Sequence, residues 1–191
     1  MPPGEITTGA FDGLADLETA LWEMGRTPSD ETPDMTELDH GLQCAAELKS
    51  AAPDDVGLQI AGLVHDIGHG RTHIRDHGWA GAEAVRGVLG RRVAELVGLH
   101  IDAKRYLVTT DTAYRARLSP VSIQTLALQG GDLSAEEVAR FEAWPHWREA
   151  LRLRRADEAA KTPGRDVPGL SSWLPALRAV AAAQTGAQPW A

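Results

Sequence analysis

Apolar residues recur at helical spacing along almost the whole chain, in segments rich in Ala, Leu, Glu and Arg. Runs that alternate apolar with polar β-branched residues are nearly absent. That periodicity points to an all-α fold. The expectation is a single-domain helical bundle spanning 1–191, since 191 residues at 43% hydrophobic content suit one full core rather than two. Helices are expected over residues 11–24, 37–51, 78–89, 91–99, 146–161 and 170–184, with a further one whose apolar face is Val56, Ile60, Leu63 and Val64. Local chemistry sets several boundaries. Pro53 ends the second helix, Asp54 and Asp55 can cap the next, and Gly68 and Gly70 break it. Ser119 followed by Pro120 is a helix start, and Ser134 with Glu137 three residues on is a capping box. Residues 27–36 read as an irregular loop, and 1–10 and 185–191 as loose tails.

A formal charge of -8 and a pI near 5.3 leave no basic stripe to neutralise phosphates, so a nucleic-acid partner is not expected. A small anion remains a suitable ligand if the site itself is positive. Cys44 is the only cysteine, which excludes an intramolecular disulfide framework and fits a reducing compartment. The start lacks a basic region followed by an apolar run, and no stretch reaches the roughly 18 apolar residues of a membrane span. A cytoplasmic protein without a membrane partner is expected.

The chemistry concentrates in His40, His65, Asp66, His77, His100 and Asp157. Four imidazoles and two carboxylates are the ligand count for two metal ions. Borderline nitrogen donors with hard oxygen donors suit iron or manganese, and a carboxylate can bridge where an imidazole cannot. On a helix His65 and Asp66 point about 100° apart, so the pair can serve two metals if Asp66 bridges. His40 and Asp157 then complete one ion, and His77 with His100 the other. A lone histidine is more often a hydrogen-bonded core or surface residue than a ligand, but six such residues on successive helices reverse that balance. His69 is either a seventh ligand or, by preference, a catalytic imidazole that hydrogen-bonds substrate or dioxygen. His73 and His146 read as surface residues, Cys44 as a buried structural thiol, and Trp79, Trp144, Trp147 and Trp173 as packing residues. Lys104 falls one helical turn after His100. Each of Lys104, Ser122, Gln129 and Arg154 has an ordinary solvated or helix-end reading, yet around a dimetal centre they would form an oxyanion clamp.

The strings LDHGLQCA, LVHDIGHG, GLHIDAKRYLV, LALQGG, LRRADEAAK and VPG, in this order over residues 38–169, resemble the HD-domain mixed-valent di-iron oxygenases of phosphonate breakdown, the PhnZ-like enzymes. The HD pair alone is common to a large hydrolase superfamily, whereas the HIDAKRYLV and LQGG strings are specific. Myo-inositol oxygenase is a more distant relative with the same ligand set. The resemblance implies two iron ions, Fe(II)/Fe(III), held by His40, His65 and Asp157 on one side and His77 and His100 on the other, bridged by Asp66. It implies that a small 1-hydroxyalkylphosphonate chelates one iron and that activated O2 removes the hydrogen on C1. Oxygenation of that carbon then releases phosphate and a carboxylate. By the same likeness Lys104, Ser122, Gln129 and Arg154 hold the phosphonate, His69 lies near substrate and oxygen, and Lys161 matches a further family lysine.

One departure matters. In PhnZ a loop tyrosine can plug the open iron position and a glutamate recognises the substrate amine. The corresponding positions, ten and seven residues before His40, are Asp30 and Pro33, and the only tyrosines are Tyr106 and Tyr114. Glu31, Asp34 or Glu37 remain candidates to meet a cationic head group, against their default as solvated charges. Substrate candidates are 2-amino-1-hydroxyethylphosphonate, its trimethylammonium analogue, hydroxymethylphosphonate or another short 1-hydroxyalkylphosphonate. The competing readings are an HD-domain metal-dependent phosphohydrolase acting on a phosphate ester or nucleotide, and a noncatalytic binding module that kept the scaffold.

Overall fold

The computed structural model describes residues 9–29, 32–69, 71–73 and 75–185. Among them there is no β-strand, only an isolated bridge between Pro28 and Thr36. The helices are α1 (Leu14–Met24), α2 (Glu37–Ala51), α3 (Val56–Val64), α4 (His77–Thr110), α5 (Thr112–Arg115), α6 (Pro120–Leu128), α7 (Ala135–Glu142), α8 (Trp147–Ala159) and α9 (Leu170–Thr185). The all-α expectation therefore holds. Of the segments expected to be loose, 1–8 and 186–191 lie outside the described residues, as do Asp30 and Glu31.

Short polar side chains start the helices as local chemistry requires. Thr36 and Asp39 close a capping box on α2, Ser134 and Glu137 another on α7, Asp55 accepts from the Leu58 amide at the head of α3, and Ser119 caps α6 with Pro120 in its first turn. Each satisfies backbone donors that a helix start leaves unpaired. α1 begins three residues later than periodicity suggests, because Phe11 turns aside: its amide donates to the Ala84 carbonyl and its ring receives the Arg71 guanidinium.

The larger difference lies in α4. Residues 78–89 and 91–99 read as two helices parted by Gly90, with the second ending at His100. The break at Gly90 is present, its φ of 80° and ψ of 174° lying outside helical geometry and dividing α4 into two helical stretches, but the second stretch continues past His100 to Thr110, so His100 sits mid-helix. A positive φ costs glycine little, so the chain kinks there between the two stretches.

α2, α3, α4 and α8 pack around one core that includes Leu42, Leu48, Leu63, Leu96, Leu99 and Leu153, all buried. Cys44 lies within it, and burial pushes its thiol pKa well up, as expected of a structural cysteine. Trp173 is buried there and Trp79, Trp144 and Trp147 pack against it. A second cluster of Leu107, Val108, Tyr114, Leu118 and Leu126 fastens α5 and α6 to the far half of α4.

Two glycines set how closely the ligand-bearing segments approach. A Cβ on Gly41 would lie 2.4 Å from the Leu63 carbonyl oxygen, so α2 and α3 meet backbone to side. A Cβ on Gly68 would fall 1.9 Å from the His77 carbonyl oxygen, so the turn after α3 rests on the head of α4. His40 and His65 are brought together by the first contact, Asp66 and His77 by the second.

Candidate active site

The six expected ligands converge from four places: His40 on α2, His65 and Asp66 in the turn that follows α3, His77 and His100 on α4, and Asp157 on α8. Asp66 is central. Its Oδ2 lies 3.4 Å from His40 Nε2 and 3.2 Å from His65 Nε2, while its Oδ1 lies 3.3 Å from His77 Nε2 and 3.5 Å from His100 Nε2. Asp157 Oδ1 is 3.2 Å from His40 Nε2 and its Oδ2 is 3.8 Å from His65 Nε2. Donors bonded to one ion at about 2.0–2.1 Å stand roughly 3.0–3.4 Å apart, close to the separations found. The two Asp66 oxygens thus face two distinct groups of donors.

The far sides of the rings explain this orientation. His40 Nδ1 is 2.9 Å from the Ala160 carbonyl oxygen, His65 Nδ1 2.8 Å from that of Gly62, and His100 Nδ1 2.6 Å from that of Val97. A carbonyl only accepts, so each Nδ1 carries the proton and each Nε2 presents a lone pair inward, as metal-bound histidines do. Among the described residues His65 Nε2 is buried with no hydrogen-bond partner, and His77 Nε2 and His100 Nε2 face each other at 3.0 Å. Inward lone pairs and an orphaned buried nitrogen are what a cation satisfies.

Electrostatics agree. Burial favours neutral carboxyls, but His65 holds Asp66 and Arg154 holds Asp157 ionised well below the usual carboxylate range. Burial likewise disfavours protonated His40 and His65, yet Asp157 and Asp66 overcome it and raise both imidazoles. Buried carboxylates of this kind demand positive charge nearby, which protons supply on two histidines and a metal supplies better. His100, desolvated and beside His77, is pushed down to about 3 and is neutral, ready to ligate.

Beyond the donors the cavity wall includes Lys104, Gln129 and Arg154, three of the residues expected to bind an anion. Lys104 is 2% exposed and donates to Thr125 Oγ1 at 2.6 Å. Arg154 donates to Asp157, to Glu158 and, at 2.7 Å, to the Tyr114 hydroxyl. Gln129, 7% exposed at the end of α6, has an Oε1 with no hydrogen-bond partner among the described residues. Ser122 and Lys161 do not line this cavity; they meet one another, Lys161 Nζ donating to Ser122 Oγ at 3.1 Å and to Glu158 at 3.1 Å.

His69 sits on the rim beside Asp66 and His77. Glu37, weighed as a possible partner for a cationic head group, is buried in the first turn of α2 with Oε1 3.3 Å from His69 Nδ1. Asp34 is exposed. His73 is exposed and His146, half-buried, lies near Glu95 and Glu149, away from the cavity.

The sequence reading missed Ser29, Ile101 and Thr125 as lining residues. Thr125 was accessible in principle, three positions after Ser122 on the same helix, and Ile101 adjoins His100; Ser29 offers no signal. Tyr114 also escaped notice, its hydroxyl serving the anion side through Arg154.

The HD-domain signature matches residues 38–141. The chain is 34% identical over 182 residues to hydroxymethylphosphonate dioxygenase of Gimesia maris, covering 90% of this chain and 86% of the relative. It is also 34% identical over 164 residues to 1-hydroxy-2-(trimethylamino)ethylphosphonate dioxygenase (glycine-betaine-forming) of Leisingera caerulea, covering 80% and 83%. An uncharacterised protein of Acanthamoeba polyphaga mimivirus is 31% identical over 147 residues, covering 71% and 67%. A bundle that gathers four histidines and two aspartates under an HD signature belongs to the HD-domain family, in its PhnZ-like oxygenase group.

Proposed function

We propose that this protein is an iron-dependent dioxygenase that cleaves the C–P bond of a small 1-hydroxyalkylphosphonate. The single observation that carries the reading is the double-faced Asp66, each oxygen turned to its own group of donors, beside a buried lysine and arginine. Two iron ions, Fe(II)/Fe(III), fit the mixed nitrogen and oxygen set: His40, His65 and Asp157 would hold one, His77 and His100 the other, with Asp66 between. When bound, the iron pair supplies Lewis acidity and activation of O2. Overall, RCH(OH)PO3H2 and O2 give RCOOH and H3PO4; the C1–H and C–P bonds break, and carbon is oxidised at the expense of dioxygen.

The chain's own groups perform the recognition. Lys104 and Arg154 place a buried ammonium and guanidinium where a phosphonate dianion arrives, preorganised and screened from water. The Gln129 amide offers a donor from its NH2 group to the same head group, and Thr125 steadies the Lys104 ammonium. Lys161 sits behind this wall, donating to Ser122 and to Glu158, and Glu158 in turn orients Arg154. His69 lines the same cavity, where its ring would hydrogen-bond the substrate hydroxyl or oxygen. Hydroxymethylphosphonate and the trimethylammonium compound are the substrates named for the two relatives, and both are candidates here. A cytoplasmic location and independence from nucleic acid complete the reading.

The decisive assay supplies ferrous iron and oxygen with a panel of 1-hydroxyphosphonates that differ only at C1. Oxygen uptake matched by phosphate release is expected. Phosphate released from nucleotides or phosphate esters in anaerobic buffer with manganese would identify a phosphohydrolase instead.

A further inference from the structure

The donors are unequally shared. On the Oδ2 side of Asp66 stand His40, His65 and Asp157; on the Oδ1 side only His77 and His100 were assigned. A third imidazole is present there. His69 Nε2 lies 3.7 Å from Asp66 Oδ1, and its ring is 4.2 Å from that of His77 at 74°. Donor atoms of Asp66, His69 and His77 all fall within 4.8 Å of one another, as do those of His40, His65 and Asp66 on the other side.

The far nitrogen is backed as a ligand's would be. His69 Nδ1 is 3.3 Å from Glu37 Oε1, and Glu37 is 3% exposed at the head of α2, three residues before His40. A carboxylate at that distance holds the Nδ1 proton, leaves the lone pair on Nε2 and raises its basicity. Backbone carbonyls do the same for His40, His65 and His100. Relying on the two-ion reading above, we propose that in the substrate-free protein His69 is a fourth protein ligand of the second metal, with Glu37 as its positioning residue. His69 is also the most accessible of these side chains, at 16% against 4% for His77 and His100. Detached from the ion, the same Nε2 faces the cavity, so ligation at rest and contact with bound substrate are successive uses of one atom.

The test is anaerobic ferrous-ion titration of the full chain by equilibrium dialysis, with pulsed EPR of the mixed-valent form to count coordinated imidazole nitrogens. Wild type should take two ions. His69→Gln should keep the first and bind the second about 10-fold or more weakly, with one nitrogen fewer on that ion. Glu37→Leu should weaken the second ion about 10-fold, whereas Glu37→Gln, whose amide oxygen still accepts the Nδ1 proton, should stay within about 3-fold of wild type. Two ions held by His69→Gln with unchanged affinity and nitrogen count would overturn this assignment and leave the dimetal reading intact. Wild type binding one ion or none would overturn both. If His69→Gln does not fold, the wild-type spectrum decides: three imidazole nitrogens on the second ion support the proposal, and two overturn it.

Discussion

Asp66 and Lys104 line the same cavity and have separable jobs. Because Asp66 presents one oxygen to each donor group, Asp66→Ala would remove a ligand from both proposed ions at once, and loss of bound metal together with turnover is expected from elemental analysis and oxygen uptake. Lys104 donates to Thr125 on the cavity wall. Lys104→Ala should leave iron content unchanged and raise KM about 10- to 100-fold, the cost of one charge-assisted hydrogen bond at about 1.5–3 kcal/mol. Equal loss of iron in both variants would contradict the division. The donors were legible in the sequence because imidazole and carboxylate are chemically distinctive. Thr125 and Ser29 were not, since nothing in a hydroxyl side chain says whether it faces a cavity. Glu37 shows the intermediate case: its charge was noticed, but its partner His69 lies thirty-two positions away and only the fold joins them.

At the level of helices, the capping residues were readable because a cap and its amides lie within three positions of each other, as at Thr36, Asp55, Ser119 and Ser134. Close approach between helices was not, since Gly41 and Gly87 look alike in sequence and differ only in what stands opposite. A methyl at Gly87 meets nothing within 4 Å and gains helix propensity, so Gly87→Ala should stabilise by about 0.5–1 kcal/mol. A methyl at Gly41 meets the Leu63 carbonyl at 2.4 Å and must push α2 from α3, which should cost about 1–3 kcal/mol and weaken metal binding. Thermal melts with and without iron check both, and a Gly41→Ala variant with wild-type melting and metal affinity would refute the close-approach argument. Asp55 adds a pH dependence. Its bond to Arg92, opposed by partial burial and helped by the Leu58 amide, lowers its folded pKa beneath the ordinary 3.8. The contribution of that α3 to α4 tie is therefore full above pH 3.8 and lost as pH falls through the depressed value. Asp55→Asn should flatten the acid side of the stability profile.

Over the whole molecule, the proposed ligands come from α2, the turn after α3, α4 and α8, which also build the main core, so that metal bound to them would staple these elements. Metal bound only by the folded chain stabilises it by RT ln(1 + [L]/Kd), about 2.7 kcal/mol for each ion held at 100 times its Kd. At this chain length 1 kcal/mol corresponds to roughly 2–4 °C in Tm. Saturating the pair under anaerobic conditions should therefore raise Tm by about 10–20 °C, and a chelator should reverse it. The metal-free protein is not expected to collapse, because Asp157 and Asp66 raise the His40 and His65 pKa values and so favour protons that offset the two carboxylates. It should melt lower, with its helices intact by far-UV circular dichroism. Asp66→Ala supplies the control: with both sites damaged, its Tm should hardly respond to iron. A wild-type Tm equally indifferent to iron would mean that these inward-facing imidazoles do not bind it, and with that the route from fold to chemistry would fail.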